Sequence, residues 1–119
     1  MNYKFPKSEK LKLKRHIEEL FEKGKHQGFS PLNLKYLKFD ESGKNLCGVS
    51  VPKRKIKKAV DRNRLKRQMR EAYRLHKHII SSETHHFHLM FVYSNSKKTS
   101  YQDIEKAMIV LLKRLKNKL

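Results

Sequence analysis

Cysteine occurs once, at Cys47, so the chain can form no internal disulfide and offers no cysteine-based zinc site. Cys47 alternates with Val49 and Val51, the spacing of one strand face, and reads as a small core side chain rather than a nucleophile. Acidic residues are also scarce: 11 Asp and Glu stand against 30 Lys and Arg, for a net charge of +19 and a pI near 10.2. Acids so few and scattered supply no two-metal carboxylate site, and no P-loop, Ser-His-Asp or Cys-His arrangement is evident. No residue is assigned a catalytic or metal-binding role, and no cofactor is expected on the protein alone. No apolar run approaches the ~20 residues of a membrane-spanning helix, and the N-terminus lacks the apolar segment of a signal peptide. A cytoplasmic location with no membrane partner is the expectation.

What is present is basic charge on a chain that can fold. The 119 residues suit one domain, 1–119, with one modest core. Hydrophobic residues make up 37% and recur at regular spacings, unlike a disordered basic tail. The charge is concentrated: residues 53 to 77 hold twelve Lys and Arg against Asp61 and Glu71. Such a field favours a polyanionic partner.

Ala59 to Arg74 contains no Gly or Pro and is dense in helix formers. At 100° per residue, Arg62, Asn63, Lys66, Arg67, Arg70, Arg74 and Lys77 fall within an arc of roughly 140°, opposite Leu65, Met69, Ala72, Leu75 and Ile79. Guanidinium groups can each donate two parallel hydrogen bonds to one phosphate, so this face suits nucleic acid. The preceding loop, with Lys53, Arg54 and Lys58, adds cations in front of the free backbone N–H groups of a helix N-terminus.

Along the rest of the chain, residues 1 to 10 read as an extended arm. Leu13, Ile17, Leu20 and Phe21 mark a short helix ending near Lys23, with Gly24 as a left-handed C-terminal cap. Residues 25 to 31 read as a connection. Leu32 to Phe39 and Leu46 to Val51 read as two strands joined in a hairpin by the turn formers from Asp40 to Asn45. In the first, Leu32, Leu34 and Tyr36 share one side, and Asn33, Lys35 and Leu37 suit a wet cleft wall. The basic helix should run to about Ile80. His85, His86 and His88 lack the cysteine or spaced carboxylate of a metal set and suggest a polar strand entry. Phe87 to Tyr93, apolar at nearly every position, suits a central strand covered on both faces. Thr99-Ser100-Tyr101-Gln102 has the form of a capping box before a last helix whose stripe is Ile104, Met108, Leu111, Leu112, Leu115 and Leu119. The order helix, strand, strand, helix, strand, helix fits an α+β sandwich of helices against a small sheet.

Arg62-Asn63-Arg64, followed by Leu65-Lys66-Arg67 and Arg70-Glu71, resembles the signature helix of the protein subunits of bacterial ribonuclease P. Ser50-Val51-Pro52-Lys53 and Ala59-Val60 fit that family's approach to the helix. The resemblance implies a two-layer α/β sandwich with a small mixed sheet, about three helices and a left-handed βαβ crossover, against the right-handed default. It implies an accessory role beside a large catalytic RNA that uses magnesium and removes the 5′ leader of precursor tRNA. The catalytic RNA and precursor tRNA are then the expected partners, with no protein partner. Arg62, Asn63, Arg64, Lys66, Arg67 and Arg70 would dock on the RNA, joined by Arg74 on the same face. Phe21, and Ile17 in place of an aromatic residue, would line a leader cleft with Lys35. Two rivals share the charge: a structural RNA-binding protein such as a ribosomal protein, and a DNA-binding protein with its helix in a major groove. The second lacks a zipper or helix-turn-helix pattern.

Overall fold

The computed structural model describes residues 3–118. Its elements in chain order are α1 (Lys14–Lys23), β1 (Lys25–Phe29), β2 (Leu32–Phe39), β3 (Leu46–Ser50), α2 (Ala59–His76), β4 (His86–Tyr93) and α3 (Tyr101–Asn117). The four strands form one mixed sheet in the order β1-β2-β4-β3, with β3 and β4 parallel and the other pairs antiparallel. α2 is thus the crossover between two adjacent parallel strands.

β4 decides this topology. Six of its eight residues are buried on alternating faces, so it needs cover on both sides. The expected hairpin between β2 and β3 therefore does not form: β4 inserts between them, pairing Leu34 with Phe91 on one edge and Val49 with Phe91 on the other. β2 finds its hairpin partner upstream instead. Residues 25 to 29, expected to be a connection, pair with β2 from Lys25↔Tyr36 to Phe29↔Leu32, turning at Ser30-Pro31, a cis peptide bond. Before Phe29, which packs against the core, their side chains are polar or absent and largely exposed, which suits a sheet edge and hid the strand from a search for apolar alternation.

On one face, Leu32, Leu34 and Tyr36 of β2 and Leu89, Phe91 and Tyr93 of β4 share a core with Leu65, Met69 and Tyr73 of α2 and Ile104, Met108 and Leu111 of α3. On the other, Leu11, Leu20 and Met90 are packed by Ile17, Leu37, Leu46 and Val92 beneath α1. An isolated ten-residue helix is marginal in water, so α1 depends on this docking. Fully burying Leu20 contributes about 1.5–3 kcal/mol towards it.

Local signals are displaced in two places. α3 is capped by Ser100, whose Oγ accepts the Asp103 N–H at 3.2 Å, while Thr99 turns its hydroxyl to Tyr93 Oη at 3.1 Å. The cap thus begins one residue later than expected; Leu119 lies outside the described residues. Gly24 ends α1 with φ −70°, so it is no left-handed cap. Its role is close approach: an added Cβ would lie 2.3 Å from the Leu20 carbonyl oxygen and 3.1 Å from that of Tyr36. The N-terminal arm is anchored rather than loose. Phe5 packs on Tyr73 with ring centroids 5.2 Å apart, Leu11 N–H donates to the Cys47 carbonyl at 3.0 Å, and Glu9 pairs with Lys77 at 2.7 Å.

Gly24→Ala should cost about 1–3 kcal/mol, the range for overpacking at a site that cannot relax. Urea denaturation of the variant against the parent checks this; an unchanged midpoint would mean that the turn moves freely.

Candidate nucleic-acid interface

The path from β3 into α2 is built to expose cations. Pro52 opens a turn closed by Lys55 N–H and Ile56 N–H to its carbonyl at 3.0 and 3.1 Å, and the buried Ile56 pins the far end. Lys53 and Arg54 are held exposed at the turn, with Lys58 exposed at the helix cap. No side chain caps α2, which leaves the N–H groups of its first turn facing outward with the positive end of the helix dipole. Arg62 turns back and donates to the Ile56 and Lys57 carbonyls at 2.9 and 2.6 Å, so it braces this loop.

The helix phase differs from the expected face. Tyr73, which projects between Arg62 and Lys66 on the helical wheel, is buried together with Leu65, Met69 and Ala72. The core side is rotated toward the basic row, leaving Arg62 and Lys66 half-buried at its margin and Asn63, Arg64, Arg67 and Arg70 exposed. Among the described residues, Arg64, Arg67 and Arg70 have no acidic partner within ion-pair distance. Arg74 is engaged: its Nε donates to Glu71 Oε2 at 3.1 Å and its Nη1 to the Tyr3 carbonyl at 3.0 Å. That pairing holds the Glu71 carboxyl below its ordinary range. Arg74 and Lys77, both on the expected basic arc, are thus the anchors of the N-terminal arm. Lys55, Lys57, Lys97 and Lys98 line a further concavity of ≈ 420 Å³ beside the start of α2. Lys97 and Lys98 belong to the β4–α3 connection, and nothing in the sequence placed them here.

A cleft of ≈ 340 Å³ lies between α1, the edge of β3 and α2, with Lys10, Lys12, Ile17, Gly48, Met90 and Arg70 in its walls. Arg70 therefore belongs to both the basic face and the cleft. Lys35, Met90 and Gly48 stand in one cross-strand row, which sets Lys35 on the same face of the sheet as the cleft. Its Nζ lies 5.4 Å from the ring centroid of Phe21, an aromatic side chain 49% exposed on α1. Ile17 lines the cleft and packs into its floor, while Phe21 and Lys35 meet each other on α1 and β2 outside its walls. Cys47 lines the cleft too, but burial pushes its thiol well above the usual range, against a smaller opposing pull from Arg70. A thiol so disfavoured as thiolate is no nucleophile. Among the described residues no group of three or more His, Cys, Asp or Glu is placed to hold a metal ion.

The family model for Ribonuclease P matches residues 5–116. The chain belongs to the ribonuclease P protein family. It is 33% identical over 108 residues to the ribonuclease P protein component of Porphyromonas gingivalis, covering 86% of this chain and 79% of that protein. With the component from Clostridium botulinum (strain Loch Maree) it shares 35% identity over 109 residues, covering 91% and 95%. Of solved structures, the RNase P protein of Thermotoga maritima superposes with a TM-score of 0.70 at 28% identity, over 89% of this chain and 96% of that one. The Staphylococcus aureus protein has the same fold, with a TM-score of 0.72 at 22% identity and coverage of 92% and 96%.

As a ribonuclease P protein, the chain is an accessory RNA-binding subunit of the ribonucleoprotein that processes tRNA 5′ ends, and catalysis belongs to the RNA. The ribosomal and DNA-binding alternatives fall away. No described helix is long and apolar enough to cross a membrane.

Of the histidines after α2, His85 and His86 form the expected polar entry to β4, both half-buried, but His88 does not. His88 is buried against His16 of α1 and Phe39 of β2, with ring centroids 4.8 and 4.6 Å away, while His86 stacks on Phe39 and bonds the Glu41 carbonyl at 2.9 Å. Desolvation, then the neighbouring His16 and His86, push the His88 pKa down from 6.5 to about 4, partly offset by Glu19. The unfolded chain then binds the proton first, so stability should fall as pH drops from 6.5 towards 4, a window set by these two values. Glu71 acts in the same direction only lower, below its ordinary 4.5. Thermal unfolding of His88→Leu across this range should show a flatter Tm profile above pH 4.5 than the parent; parallel profiles would remove His88 as the cause.

Proposed function

We propose that the exposed cations of α2 and its leading loop dock on the phosphates of the ribonuclease P RNA, while the groove beneath α1 receives the 5′ leader of precursor tRNA. The observation that carries this reading is the separation of two adjoining surfaces. One is a row of unpaired guanidinium groups, suited to a folded RNA backbone. The other is the cleft beneath α1, with one exposed aromatic ring and a lysine over it on the same helix and sheet face nearby, suited to unstacked single-stranded nucleotides. Arg70 stands at their junction, so leader and catalytic RNA would meet there.

In this reading Lys53, Arg54, Lys58, Asn63, Arg64, Arg67 and Arg70 make the RNA contacts. Arg62 and Lys66 work at the margin, Arg62 by holding the loop and Lys66 by adding charge. Arg74 acts by fixing the arm. Phe21 stacks a base, Lys35 takes the adjoining phosphate, and Ile17 supplies apolar wall. The protein's contribution is positioning and electrostatics: it lowers the repulsion between two polyanions, and magnesium ions at the RNA complete the neutralisation. Work of this kind belongs in the cytoplasm, where tRNA precursors are made.

Cleavage of precursor tRNA by a bacterial ribonuclease P RNA at low magnesium, with and without the protein, is the direct test. Stimulation at the mature 5′ end, with no cleavage by the protein alone, is expected; no stimulation would sink the proposal. Replacing Arg64 or Arg67 with Ala should flatten the log-log salt dependence of RNA binding by about 0.7–0.9 per residue, one phosphate contact each. Arg74→Ala should instead lower the thermal midpoint and leave that slope nearly unchanged.

Phe21→Ala should weaken binding of leader-bearing precursor by about 1–3 kcal/mol, the worth of one base stacked on an aromatic ring. Mature tRNA should bind the variant and the parent alike, and equal losses for both RNAs would place the leader elsewhere.

A further inference from the structure

A second cavity, of ≈ 240 Å³, shares no lining residue with the cleft and lies between the C-terminal ends of α1 and α3. Lys23, Lys25, Lys38 and Lys118 surround it, with no acid in its walls. Lys118 Nζ donates to Tyr36 Oη at 2.9 Å and sits over that ring, 5.3 Å from its centroid. Lys38 has a carboxylate partner, Asp40 at 3.1 Å, but the Asp40 side chain is 87% exposed and such a surface pair is weak. Four ammonium groups around one opening repel each other, and an anion between them relieves that repulsion.

The floor is of another kind. It is made by Tyr36 and Phe87, on the sheet face that α3 covers, and by Leu115 of α3, an apolar base beneath a cationic rim. The edge of β2 is open here as well. β1 pairs only with residues 32 to 36, so from Leu37 to Phe39 the strand has a partner on the β4 side alone. Its outward backbone groups can meet polar atoms of a ligand. Three open residues are too short a template for strand addition by a peptide. At ≈ 240 Å³ the cavity has room for one ring system and none for a duplex. A flat apolar body with a hydrogen-bonding edge and a phosphate attached is a nucleotide.

We propose that this cavity binds one nucleotide of a single-stranded RNA segment, its base against the Tyr36–Phe87–Leu115 floor and its phosphates among the four lysines. The site is distinct from the α1 groove, and it rests on the reading of this protein as a binder of single-stranded RNA. Nitrogen-15 NMR titration of the full chain with 5′-phosphorylated triuridylate, inorganic phosphate and triglutamate tests it.

Saturable amide shifts at Lys25, Lys38 and Lys118 with the trinucleotide are expected. They should weaken by about tenfold in a Lys25→Gln/Lys38→Gln double variant, as for loss of a charge-assisted contact, and persist in the Lys→Arg pair. Shifts at Phe21 and Lys35 should be the same in all three proteins. Shifts there without any at the cavity would overturn this inference alone, whereas silence at both places would also overturn the single-strand reading beneath it. Equal perturbation of the cavity by phosphate or by triglutamate would overturn the nucleotide assignment.

Discussion

Everything in this fold depends on covering β4. An apolar strand in the middle of a chain this basic cannot be left with an open face or an open edge, because each exposed apolar side chain and each unpaired backbone group costs free energy in a small domain with little to spare. β2 and β3 close its edges, the α2–α3 layer closes one face and α1 the other. The same packing decides where the charges go. α2 must give Leu65, Met69, Ala72 and Tyr73 to the core, so its arginines are left outside at fixed positions on a rigid element.

Like charge along α2 is a cost that local interactions do not remove. An ordinary surface helix intersperses acids at i+3 and i+4, but here only Asp61 and Glu71 are available, and Glu71 is taken by Arg74. Burial of the opposite side of the helix offsets the repulsion, while the docked arm and the Lys77–Glu9 pair hold its C-terminal end. What remains is a set of unpaired guanidinium groups whose mutual repulsion falls when a polyanion arrives. Stored repulsion of this kind favours binding, and it does so without any catalytic group on the protein.

Much of this was legible in the chain itself. The period of Leu65, Met69 and Ala72 against Asn63, Arg67 and Arg70, the apolar run of β4 and the alternation along β2 each reflect one element meeting one boundary between core and water, and such patterns are local. β1 escaped notice because an edge strand with exposed side chains has no apolar period to detect. The false hairpin between β2 and β3 had a related cause: turn formers between two strands signal a reversal of the chain, but not whether a third strand will come between them. His88 misled through its polar character, since burial of an imidazole depends on a distant partner, His16, and not on its neighbours in sequence.

By itself, then, the sequence determined the elements other than β1 and the concentration of cations on one helix, because composition and short-range periodicity carry those properties. Tertiary structure alone decided which cations are available. Arg74 and Lys77 lie on the same helical arc as Arg67 and Arg70 but are consumed by the N-terminal arm, and Lys97 and Lys98 reach the start of α2 from more than thirty residues away. It also joined Phe21 to Lys35 and set Arg70 at the mouth of the cleft. The physical reason is that an ion pair or a groove is a relation between segments that meet only when the core closes, and its energy depends on distances that no local pattern contains.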